Sequence, residues 1–111
     1  MTIEQIINSF GALKVVEKRE ISETKAEFVI ENADLTAWNA LLSAILGEAV
    51  KPAGVKPSAD HSSWAKPHGG IFDTQTLYKK DFDGHYVVAM LWPWGDQAHT
   101  TLKLVVVLTG T

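Results

Sequence analysis

The chain has no cysteine among its 111 residues. That absence removes disulfides, thiolate-bound zinc and cysteine nucleophiles together, and it fits a reducing compartment. There is no apolar run near the roughly 20 residues that a bilayer-spanning helix needs. The opening Met1-Thr2-Ile3-Glu4-Gln5-Ile6-Ile7 has neither a basic leader nor a continuous apolar core, so no secretory signal is expected. A cytoplasmic protein without a membrane partner follows as the expectation. Excess positive charge is missing too. The net charge of −3 argues against a nucleic-acid partner held by backbone attraction. Neither a G-x-x-x-x-G-K-[ST] nor a G-x-G-x-x-G phosphate loop is present, and no G-x-S-x-G elbow presents a serine. No repeat of solenoid period is visible.

What charge there is lies unevenly. Every glutamate falls in the first 48 residues, while every histidine and every aspartate but Asp34 lies beyond residue 50. An acidic, solvated first half is the plain reading; head-to-tail pairing between subunits is the sharper one. A chain of this length is expected to be one domain, residues 1–111, and large enough to bury its own core.

Periodicity sets the elements. Ile3, Ile6, Ile7 and Phe10 recur at helical spacing behind a Thr2 cap. Residues 13–21 and 26–30 alternate about a turn at residues 22–24, a hairpin pattern, although Val16, Glu17 and Arg19 blur the first strand. Leu35, Trp38, Leu41, Leu42, Ile45 and Leu46 form a second helical stripe that ends at Gly47, with Asn32 or Asp34 as cap. Residues 72–82, 86–92 and 100–108 read as three further strands. Asp83-Gly84 turns between the first two and Pro93-Trp94-Gly95-Asp96-Gln97 between the last two. The predicted fold is a two-layer α+β sandwich of order α-β-β-α-β-β-β, with an antiparallel sheet of about five strands and two helices on one face.

Residues 48–70 break this order. They hold three of the four prolines and two of the four histidines, and they show neither period. A loop this long inside a domain is functional or disordered as a rule. Trp64 is expected to anchor it, helped by Val50 and Val55, with the stretch from Lys51 to Ser58 as the looser part.

Candidate chemistry gathers around that loop. His61 and His68 lie in it, and His61-x6-His68 matches no metal-binding spacing, so neither a metal nor a cofactor is expected. Asp60, His61, Ser62 and Ser63 are sequence neighbours, which is not how a triad is assembled. Trp92-Pro93-Trp94 is the densest aromatic group. Together His61, Trp64, His68, Trp92 and Trp94 mark a possible small-molecule site, with histidine as acid/base or metal ligand, or a protein interface. A second argument concerns the sheet. With helices on one face, Val87, Leu91, Val105 and Val107 are read as an apolar second face that either the loop or a second subunit must cover. The expected function is therefore a non-enzymatic interaction module, homodimeric through that face. A small-molecule-binding protein or enzyme using the loop and the Trp92–Trp94 sheet end is the alternative.

Overall fold

The computed structural model describes residues 1–109. Helix α1 (Ile3–Asn8) starts at Thr2, whose hydroxyl accepts the Gln5 N–H while the Gln5 side chain returns to the Thr2 N–H, a reciprocal cap. Strands β1 (Glu17–Ile21) and β2 (Lys25–Glu31) form the first hairpin. Arg19 is bulged out of register between Lys18 and Glu20, which explains the blurred alternation there. Helix α2 (Leu35–Leu46) follows a 3-10 turn at Asn32–Asp34. Neither predicted cap side chain closes it. Asp34 makes no side-chain cap bond, and Asn32 instead accepts the Thr100 hydroxyl at 2.6 Å, tying the turn to the sheet. After residues 48–58 comes α3 (Ala59–Ala65), and then β3 (Thr76–Phe82), β4 (His85–Pro93) and β5 (His99–Leu108).

The five strands are all antiparallel, in the spatial order β1-β2-β5-β4-β3. The two long hydrophobic strands, β4 and β5, stand inside and the charged β1 lies at an edge, a placement that discourages edge-to-edge pairing. Helices α1 and α2 cover one face. Ile6, Trp38 and Leu42 meet Phe28, Ala89 and Leu104 there. Phe10 lies edge-on to Trp38 (4.7 Å, 85°) and to Phe28 (5.4 Å, 76°).

Register corrects the expected second face. Val87 pairs with Val106 and Leu91 with Leu102. Residues directly opposite on neighbouring strands share a face, so Val87 and Leu91 belong to the helix-side core, where both are buried. Val105 pairs with Val88 and Val107 with Tyr86, and these four do lie on the other face. The four candidates therefore never form one surface; a one-residue offset between strands turns a side chain to the opposite side.

That other face is already covered within the chain. The segment read as aperiodic holds α3 and a 3-10 turn, Lys66–His68. Ala65 and Ile71 are buried against Leu77, Val88, Met90 and Val105, with Trp64 and Trp92 packed at the margin. Ser58 starts α3 with a second reciprocal cap: its hydroxyl accepts the His61 N–H and His61 Nδ1 accepts the Ser58 N–H, both at 3.1 Å. Gly69 turns the chain after the cover with φ +114, and a Cβ there would stand 2.7 Å from the Trp92 ring.

The expected anchor is only part of the attachment. Trp64 does dock, half-buried, but Val50 and Val55 remain exposed. Lys51, expected in the looser stretch, is fully buried. Its backbone pairs with Leu77 (3.2 and 2.9 Å). Its ammonium donates to the carbonyls of Pro52 (2.9 Å), Asp73 (3.0 Å) and Gln75. Burial lowers the Lys51 pKa from 10.5, and the Asp73 carboxylate opposes that shift.

Candidate functional site

The predicted constellation of His61, Trp64, His68, Trp92 and Trp94 is divided by the fold. His61 is spent on the α3 cap and lies 5.9 Å from the Trp64 ring. Trp64 and Tyr86 clasp the Lys79 ammonium from two sides, each ring centroid 4.6 Å away, while Asp81 holds it at 2.7 Å. Trp92 packs beneath Gly69 with Lys103 over its ring at 5.5 Å. His68 has a buried Nδ1 without a partner among the described residues; burial, then Lys103 and Lys25, hold its pKa below 6.5. Trp94 stands apart. Its indole N–H donates to Thr101 at 2.9 Å, and Arg19 lies 5.3 Å over its ring. His61, Trp64, His68 and Trp92 thus serve the cover or its seat, while Trp94 belongs to the turn between β4 and β5.

A second arrangement sits beside Trp94. The Asp96 carboxylate accepts the N–H groups of Ala98 (2.9 Å) and His99 (3.0 Å) with one oxygen, and His99 Nδ1 donates to the other at 2.6 Å. The His99 bond, followed by that from Ala98, brings the Asp96 pKa down to about 2. The His99 ring tilts against Trp94 at 5.2 Å. Within this turn Gln97 takes φ +60, a strained conformation for a side chain of its length. An imidazole held at Nδ1 by a carboxylate leaves Nε2 as a base.

A well-formed concavity lies elsewhere, and sequence reasoning missed it. It is a groove of about 720 Å³ between α1, the β1–β2 turn and the end of β5. Ile7, Ile21, Val106 and Leu108 line it. Ile21 is 53% exposed and Leu108 75% exposed, so apolar surface is turned to solvent. Met1 to Glu4 and Ile7 line it from the α1 side and Ile21 to Thr24 from the hairpin turn.

Polar groups converge at one end of the groove. His85 Nδ1 lies 3.1 Å from the Asp83 carbonyl, which can only accept, so the ring proton sits on Nδ1. Nε2 is then free to accept from the Met1 ammonium, 3.3 Å away. The ring stacks on Phe82 at 5.0 Å and 7°. Hydroxyls of Ser22 and Thr24 and carboxylates of Glu4 and Glu23 border the opening.

Among the described residues, no group of three or more His, Asp or Glu side chains is placed to hold a metal ion, and no helix is long and apolar enough to cross a membrane. Compared with known proteins, the chain matches no family model, no curated sequence and no solved structure.

Proposed function

We propose that this chain is an interaction module whose working surface is the groove between α1 and the β1–β2 turn. The observation that carries the reading is the combination of volume and lining. A concavity of about 720 Å³ with Ile21 and Leu108 more than half exposed is apolar surface left without a partner among the described residues. Pockets that bind ligands are of this size, mostly apolar, with a few converging polar groups. His85 and the Met1 ammonium supply such groups here. The partner is an apolar segment of another protein molecule. A second copy of the chain is the simplest, since two-fold pairs are the commonest assemblies. The covered second face, with Val105 beneath α3, no longer supplies the argument for a dimer; the groove does.

Sedimentation equilibrium of the parent chain and of an Ile21→Asp/Leu108→Asp variant tests this. Both side chains are solvent-facing, so the variant is expected to fold as the parent does. The parent is expected to associate, and to brighten the neutral apolar dye N-phenyl-1-naphthylamine; the variant is expected to do neither. A parent that stays monomeric and leaves the dye dark removes the reading.

A second reading rests on the Asp96–His99 pair beside Trp94. It makes this sheet end a small-molecule site in which His99 acts as acid or base. A metabolite that raises the melting temperature of the parent, but not of His99→Gln, supports it; a shift of equal size in both counts against it.

A further inference from the structure

The cover on the second sheet face, α3 with its 3-10 turn, hangs between glycines. Gly54 (φ +84) precedes it, and Gly69 (φ +114) and Gly70 (φ +88) follow. Its attachment is narrow. Ala65 is the one residue of α3 that is fully enclosed. Two lysines reach to it from the sheet. Lys103 donates to the His68 carbonyl at 3.1 Å, and Lys79 lies against the Trp64 ring. Both tethers are cations on the sheet side.

The cover also carries two of the four histidines. His61 Nδ1 accepts the Ser58 N–H, half of the cap that starts α3. His68 Nδ1 is buried without a hydrogen-bond partner among the described residues, so a second ring proton there would be enclosed unpaired. The charged groups around it are Lys103 of β5 and Lys25 of β2, with Glu27 across from Lys103 in register and Lys66 on its own turn. A proton on His68 adds a cation beside Lys103 and Lys25, which already disfavour it.

We propose that the α3 cover is a proton-operated lid: protonation of His68 releases it from the second sheet face and bares Leu77, Val88, Met90 and Val105. The direction follows from linkage. A histidine whose folded pKa lies below its unfolded value of 6.5 stabilises the docked state fully above that value. Its contribution falls away as the pH drops from there toward the lowered folded pKa. The lid is therefore closed at neutral pH and loosens in mild acid. This device is independent of the groove, which lies on the other face.

Amide hydrogen exchange of the full chain, corrected for intrinsic rates, compares neutral pH with about pH 5, where histidine is protonated. The reporters are the Ser62 and Gly70 amides, which bond to Ser58 and Ala65 within the cover, against the amides of β4 and β5. Protection in the cover is expected to fall roughly tenfold while the sheet holds. The variant His68→Gln removes that ring, and its cover protection is expected to stay level with pH. Equal loss in cover and sheet, or the parent's full pH response in His68→Gln, overturns the proposal.

Discussion

Two residues show how far local chemistry departs from composition. Lys51 would be placed in solvent by residue type, yet its three ammonium protons are met by three backbone carbonyls. Those carbonyls belong to the chain on both sides of the cover, so one side chain fastens the two ends of an excursion of more than 20 residues. Lys51→Met keeps the aliphatic stem and leaves the carbonyls unpaired. It is expected to cost roughly 2–4 kcal/mol in urea unfolding; a loss below about 0.5 kcal/mol, the scale of an ordinary surface change, contradicts the role given to it. Asp96 behaves in the opposite way. It is exposed, yet three N–H groups hold it ionised. Its carboxyl carbon is expected to titrate at about 2 rather than the ordinary 3.8. In NMR the His99 amide should shift in the same low-pH step, and a midpoint near the ordinary value would break the link between them.

At the scale of elements, Gly69 is where the cover meets the sheet most closely. An added Cβ has a forbidden backbone angle and a ring 2.7 Å away, whereas at Gly70 it has the angle alone and open space. Gly70→Ala is expected to cost roughly 1–2 kcal/mol and Gly69→Ala clearly more, read as a larger drop in melting temperature. Equal costs would mean that Trp92 is not the seat of the turn. The strands, α1 and α2 were legible because their periods are long enough to count: Phe28, Leu102 and Val88 alternate, and Trp38, Leu42 and Leu46 repeat at helical spacing. Helix α3 was not. It has no apolar stripe, and its capping signal is hidden because His61 stands where Glu or Gln usually completes the pattern. The error over Val87 and Leu91 has a different cause. Each strand's alternation was correct by itself, but which face of β4 adjoins which face of β5 depends on turn length, and the Trp94–Ala98 connection does not announce its register.

At the scale of the whole molecule, helices α1 and α2 pack on one face of the sheet and α3 on the other, and an apolar groove stays open beside α1. No single residue pattern could reveal that groove. Ile21 and Leu108 look like ordinary inward strand positions, yet they are more than half exposed where the start of α1 meets the β1–β2 turn. The acidic first half has a visible consequence there, since Glu4 and Glu23 border the opening. If the partner meets the groove beside these carboxylates, association depends on ionic strength through their screening. Sedimentation at low and high salt is expected to give different association constants, and Glu4→Gln/Glu23→Gln is expected to remove most of that difference; an unchanged salt response in the variant places the interface elsewhere.

The most direct test of the central claim is a map of backbone amide shifts in a concentration series of the parent chain. If the groove is the working surface, the shifts that grow with concentration fall on Ile7, on residues 21–24 and on Val106 and Leu108. They vanish in Ile21→Asp/Leu108→Asp, whose remaining spectrum overlays the parent's. Shifts centred instead on α3 and Val88, or a spectrum that does not change with concentration or with added apolar dye, would contradict it.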